Sequence, residues 1–398
     1  MRIFQLIILG LMLCMNALSE QAGFYDATTA QIAQPPGTLI RSAALQLPAF
    51  YRAKAWRILY ASRDYAGRPI AASGVAVVST VRPVGPGGQT IIAWAHSTVG
   101  TAQGCAPSLR QRPTEFILGL NDLIGAGTIV VATDYPGLGT PGPVGYLIGK
   151  GQAYAVLDSV RAAAKLPGVR AARDYEVYGF SQGGHAALFA GQVAPQYMPE
   201  FKLRAVAAIA PPTDLLRLLA FNATTIEGKI LLSYTLKSWA IKYGLSMREV
   251  LSDEAIKTAF AINAICVDDF SGSVSAFQAQ QLFGPDMFLG NPVHHPDWRQ
   301  SLIENSINIW PRNIPLLVVQ GTDDTVVRPE VTASSFTATC LAGGNVKYVT
   351  LSNRGHSSSA QNAFPMVTDW LVARLGNVPN DNSCRGPTIA RVNDDARR

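Results

Sequence analysis

Chemistry in this chain starts at a serine between glycines, Gly179-Phe180-Ser181-Gln182-Gly183, followed by Gly184 and His185. The pattern is G-x-S-x-G. By chance it turns up in about one chain of this length in eight, so the pentapeptide needs its context. Asp174 to Tyr178 reads as a short strand, and Gly184 to Gly191 is small and apolar, like a packed helix. Strand, tight turn and helix make a nucleophile elbow, which holds the serine on a strained turn with its hydroxyl exposed. The flanking glycines are needed because strand and helix backbones come too close there for a Cβ.

A serine hydroxyl needs a base to take its proton and an acid to hold that base. On α/β-hydrolase elbows the chain order is Ser, then Asp or Glu, then His. Only five histidines compete. His96 precedes the serine. His185 lies one turn into the elbow helix, so its ring points away. His294 and His295 sit in a Pro-flanked turn before any plausible acid strand, and they read as turn residues rather than metal ligands. His356, in a loop after the apparent strand Val346 to Leu351, is left as the base. The acid should follow the strand before it. Ile314 to Gln320 is a continuous apolar run, as a strand buried on both faces requires. Gly321-Thr322-Asp323-Asp324 comes next, with two adjacent carboxylates that physics alone does not separate. The turn favours Asp324, because Gly321 to Asp323 lets the chain leave the sheet first. Asp323 would then be solvated or bonded to the loop.

An oxyanion hole needs two donors. One is the N–H of Gln182, the residue after the nucleophile. The other should follow the strand Thr90 to Ala95, where His96-Ser97-Thr98-Val99-Gly100 offers the N–H of Thr98 or Ser97. His96 reads as the residue that fixes this turn through its ring nitrogens.

Taken together, several segments are similar to the secretory lipase family of α/β-hydrolases, which includes fungal lipase A-type enzymes and many bacterial homologues. They are Ala95 to Gly100 with Cys105-Ala106-Pro107-Ser108, Ala132-Thr133-Asp134-Tyr135-Pro136-Gly137-Leu138-Gly139, Gly179 to His185, Pro211-Pro212-Thr213-Asp214-Leu215, and Gly321 to Val327. The likeness runs from about residue 30 to residue 378. It implies a triad of Ser181, Asp324 and His356 and esters of fatty acids as substrates. Ser97 stands where members have glycine, and Val144 where many bacterial ones have histidine. The resemblance also implies how four cysteines pair. Three pairings are open to them, and related lipases use the sequential one, Cys105–Cys266 and Cys340–Cys384.

The elements that must position these groups alternate as strands and helices, which means a mostly parallel sheet with helices on both faces. The reading has Ala55 to Ser62 and Pro69 to Ser79 as a first antiparallel pair, after an irregular stretch over 24–50. Gln152 to Leu166 and Asn362 to Leu375 read as helices. Between Asp214 and Ser306 the strand signal stops and apolar helical stretches take over. The expected division is a signal peptide over 1–19, hydrolase core over 20–213, a helical cap over 214–306 inserted between the sixth and seventh strands, core again over 307–378, and a polar tail over 379–398. Trp239 and Phe260 in the cap, with Tyr135, are the candidate pocket residues. No metal or cofactor is expected.

With 398 residues, 48% apolar and 15% charged, the chain can bury one large core. Its net charge of +6 is scattered and partly collected in the tail, without a basic stripe bearing aromatics, which argues against nucleic acid. Weak attraction to anionic lipid or envelope surfaces stays open, with solubility the plainer reading. Met1-Arg2, an apolar run from Ile3 to Met15 and small residues at Ala17 and Ser19 read as a secretory signal, hence a secreted or periplasmic protein. Cys14 falls within it, leaving an even number of cysteines, as exported chains use for disulfides. Two other functions compete. A serine peptidase of this fold would need an acidic anchor such as Glu227, Asp253 or Glu254. A catalytically dead binding protein would not keep all triad positions.

Overall fold

The computed structural model describes residues 23–48, 51–81, 87–267, 288–307 and 310–385. The expected signal peptide lies outside them, as does the tail from 386 onward. Nine strands are present among the described residues: β1 (Leu39–Leu45), β2 (Ala53–Arg63), β3 (Pro69–Ser79), β4 (Gln89–Ala95), β5 (Ile129–Thr133), β6 (Ala171–Phe180), β7 (Lys202–Ile209), β8 (Leu316–Gly321) and β9 (Val346–Leu351). The described α-helices are α1 (Thr29–Ile32), α2 (Leu120–Gly125), α3 (Gly149–Ala163), α4 (Gln182–Tyr197), α5 (Leu215–Asn222), α6 (Ile226–Tyr243), α7 (Asp253–Ile262), α8 (Pro296–Glu304), α9 (Pro329–Leu341) and α10 (His356–Leu375).

One open sheet runs β1-β2-β3-β5-β4-β6-β7-β8-β9. The first three strands are antiparallel, β5 pairs antiparallel with β3, and the rest from β5 to β9 are parallel. Period-2 alternation divides the side chains between two layers. Ile91, Ala93 and Ala95 of β4 pack into one core with α3 and α4. Ile92 and Trp94 pack into the other with α2 and α10, against Phe364, Val367 and Leu371.

Two expectations need correction. Residues 24–50 are not all irregular, because β1 pairs with β2 from Ala55 to Tyr60. Leu-Ile-Arg-Ser-Ala-Ala-Leu does not alternate, since this edge strand has no fully buried face to enforce a pattern. The helical insertion therefore falls between the seventh and eighth strands. In addition, His356 is not in a loop. It opens α10, six residues before the expected start. The run Ser357 to Ser359 hid this turn by its low helix propensity, yet the Ser359 hydroxyl and N–H both bond the Gly355 carbonyl and close it, at 2.6 and 2.9 Å.

The connection after β4 leads to β5 on one side, while the helix after β6 leads to β7 on the other. Strand order thus reverses between the neighbours β4 and β6. A ligand crevice belongs outside their carboxyl ends. Residues 96–98 and Ser181 leave the sheet there.

Candidate active site

The elbow is built as its residue types require. Ser181 sits at φ 55°, ψ −119°, between β6 and α4. Its N–H donates to Ile209 O at 2.9 Å. A Cβ added at Gly183 would stand 1.8 Å from Ala95 O, and one at Gly179 2.2 Å from Gly183 O. Only glycine lets strand and helix close on one another here. Gln182 is the first residue of α4, so its N–H has no intrahelical acceptor.

His356 comes to the serine from the first position of α10. Its Nε2 is 2.9 Å from Ser181 Oγ, and its Nδ1 is 2.8 Å from Asp324 Oδ2. A carboxylate can only accept, so Nδ1 carries the proton and the lone pair of Nε2 faces the hydroxyl. The Phe180 ring lies 4.9 Å from the imidazole and limits its tilt. Asp324 is buried and fully engaged: Oδ1 accepts from the N–H groups of Val326 and Val327, Oδ2 from Gln320 Nε2 and His356. Asp323 is exposed and accepts from Thr322 Oγ1. The structure therefore brings Asp324, and not its neighbour, to the imidazole.

The loop after β4 is braced from beneath. The ring nitrogens of His96 lie 2.6 Å from Ser97 O and 3.3 Å from Asp134 O. Tyr135, at φ 65°, packs its ring at a tilt against that imidazole with centroids 4.4 Å apart and donates its hydroxyl to His96 O. Asp134 itself binds Ser73 and Ser108. Desolvation holds the His96 ring below the usual imidazole range. Further along, Gly100 at φ +107° passes so near the insertion that a Cβ would stand 2.8 Å from Ile265 O. The Cys105–Cys266 disulfide and a bond from Val267 N to Val99 O fasten the same seam. The second disulfide joins Cys340 to Cys384.

Beside Ser181 opens a narrow cavity of about 70 Å³. Its wall is apolar: Leu215, Leu218 and Leu219 of α5, Leu231 and Leu232 of α6, and Leu302 of α8. Tyr146 and Val326-Val327 complete it from the core. None of the three expected pocket residues is in this wall. Trp239 is one turn past Thr235 on α6, where its indole donates to Tyr146 O behind the cavity. Phe260 is half exposed on the outer face of α7, under Lys237. Tyr135 is buried beneath His96. The expectation followed aromatic size, whereas the wall is made of leucines at helical spacing. That signal was present in Leu215, Leu218 and Leu219 (i, i+3, i+4). The two valines after Asp324 carried no signal of their own.

The secretory lipase family profile matches residues 114–383, more than half of the chain. The chain belongs to the secretory lipase family. Lipase 5 of Candida albicans is 22% identical over 83% of this chain and 74% of its own length. Among solved structures, Candida antarctica lipase A in its closed state superposes with a TM-score of 0.74 at 15% identity, over 91% of this chain and 87% of that one. The rice cell wall degrading esterase LipA from Xanthomonas oryzae gives 0.71 at 21%, over 87% and 99%. At such identities the structural likeness speaks for the fold. This secretory lipase is a carboxylic ester hydrolase of the α/β-hydrolase fold. The family is one of secreted enzymes, and two disulfides accord with an oxidising compartment. No described helix is long and apolar enough to cross a membrane.

Proposed function

We propose that this enzyme cleaves acyl esters through an acyl-enzyme on Ser181. His356 takes the hydroxyl proton as Oγ attacks the ester carbonyl, and Asp324 stabilises the imidazolium that forms. The N–H of Gln182 and that of Ser97 or Thr98 hold the oxyanion, one such donor being worth about 3 kcal/mol. Collapse breaks the acyl–oxygen bond, and His356 returns the proton to the departing alcohol. Water repeats the sequence on the acyl-enzyme and frees the acid. The carrying observation is the unbroken hydrogen-bonded line from Asp324 through His356 to Ser181, opening on an apolar cavity.

The cavity supports an acyl chain in preference to a peptide amine. No acidic residue is among its described lining residues. Glu227 is exposed, Asp253 pairs with Arg248, and Glu254 pairs with Lys257 on the outer surface. The helices between β7 and β8 act in this reading as a cap that roofs the acyl site. The enzyme is exported with its first 19 residues removed, which N-terminal sequencing of exported protein checks. The deciding assay compares nitrophenyl esters of rising acyl length with aminoacyl amides. Ester turnover that rises with chain length, with amides untouched, is expected; preference for the amides overturns the reading.

A further inference from the structure

At the opposite end of the sheet from Ser181 lies a larger cavity, about 530 Å³, at the amino ends of β7, β8 and β9. Its size falls in the range of ligand sites. Its wall holds four cations, Lys202, Arg204, Arg312 and Arg374, and no carboxylate among the described residues. The far wall is the segment 377–382. It is latched to the sheet by hydrogen bonds between amides, such as Asn380 Nδ2 to Asn345 Oδ1 at 2.9 Å and Val346 N to Asn382 Oδ1 at 3.2 Å. The Cys340–Cys384 disulfide clamps it from behind.

Four cations exceed what the surroundings neutralise. The carboxyl ends of α9 and α10 reach this side, and each carries about half a negative charge. Asp174 lies 3.8 Å from Arg204, and Asp381 pairs instead with Lys347 outside the wall. Roughly two positive charges remain by this count while the Glu176 carboxyl beside Arg374 and Arg204 is neutral, and one when it is ionised. Beneath them, Glu176 is fully buried with both carboxyl oxygens unpartnered, and desolvation pushes it well above the usual carboxylic range against the opposing pull of Arg374 and Arg204. Arg374 is only 7% exposed, stacks on Trp370 at 5.0 Å, and keeps Nε and Nη1 without any acceptor. A buried guanidinium with unmet donors is costly and calls for a planar or tetrahedral oxyanion.

We infer that this cavity is a second binding site, remote from catalysis, for a doubly charged oxyanion of the phosphate type. The same chemistry is offered by a free phosphate ester and by a phosphate headgroup on a surface, and the test separates them. The full-length enzyme is titrated calorimetrically with sodium phosphate and glucose 6-phosphate at constant ionic strength. Flotation with phosphatidylcholine vesicles, with or without phosphatidylglycerol, forms the second arm. The variant carries Lys202→Ala and Arg312→Ala, both exposed at the rim and far from Ser181. Saturable binding of the soluble phosphates, weakened at least tenfold in the variant with nitrophenyl acetate hydrolysis unchanged, is expected and assigns a soluble ligand. Flotation that needs both phosphatidylglycerol and these two cations assigns a headgroup to the same site. No saturable binding in either arm, or binding indifferent to the substitutions, overturns the inference.

Discussion

Ser181, His356 and Asp324 are each held by contacts that their neighbours in sequence lack. Asp323 and Asp324 make the point, since the two differ only in where the turn leaves them. Asp324 receives two backbone N–H groups and the Gln320 amide, which leave Oδ2 aimed at His356. Asp323 faces water. Asp324→Asn should therefore lower kcat/KM by about 10⁴-fold, because the imidazolium loses its counter-charge and the tautomer is wrong. Asp323→Asn should stay within about threefold of wild type, as an exposed polar exchange does. Ser181→Ala should cost about 10⁴-fold or more with an unchanged melting temperature. Rates on nitrophenyl butyrate check all three, and a reversed order of the aspartates would move the acid to Asp323.

Elements were legible where burial imposes a period and opaque where it does not. The runs behind β4 and β8 are mostly buried and apolar, so apolar sequence alone marked them, whereas β6, with Asp174 and Glu176, was marked by its place before the elbow. Edge strand β1 and the Ser-rich first turn of α10 are set by pairing and capping bonds that no periodicity announces. The candidate triad was legible because chemistry restricts it to few residue types; of the cavity wall only the spaced leucines of α5 gave a signal, since any apolar residue serves there. Helix α4 shows what a single buried group adds. His185 is fully buried, its Nε2 lies 2.8 Å from Asn305 O at the end of α8, and desolvation pushes the ring down to about 4. Unfolded, the ring titrates near about 6.5. The folded state therefore binds fewer protons between those values, and stability falls as pH drops from 6.5 to 4, by about 3 kcal/mol at most. Asp158 works in the opposite direction, since burial pushes it up. The contrast to measure is thus His185→Gln against wild type. The variant should lose less stability between pH 7 and pH 5 in chemical denaturation, and identical slopes would show that the ring is not the titrating group. The seam between the β4 loop and α7 gives a second contrast. Opening the Cys105–Cys266 link frees a loop of 161 residues, which in the disputed chain-entropy account removes about 5 kcal/mol. Cys105→Ala with Cys266→Ala should lower the denaturation midpoint far more than it lowers kcat.

On the scale of the whole molecule, the proposed reading divides catalysis and substrate choice between two bodies of sequence. Core strands and their loops carry the reacting groups, while α5, α6 and α8 supply most of the cavity wall. The two meet at Leu218, which packs with Val327 and Val331 beside the Asp324 loop. This division fixes how truncations should behave. Each methylene of an acyl chain buried in the wall adds about 0.8 kcal/mol, or about fourfold in kcat/KM, until the cavity ends. Leu219→Ala and Leu231→Ala open space at the wall without touching the acid loop, so the preferred acyl length should grow while acetyl esters react as before. Leu218→Ala should instead slow every length alike, because its loss loosens Val327, whose N–H holds Asp324. Phe260→Ala, on the outer face of α7, should leave the length profile alone. Rates over acetyl to dodecanoyl nitrophenyl esters, taken with melting temperatures, decide the matter. If Leu219→Ala and Leu231→Ala lowered all lengths in parallel, the helices between β7 and β8 would be scaffold, and the acyl chain would have to leave Ser181 by another path.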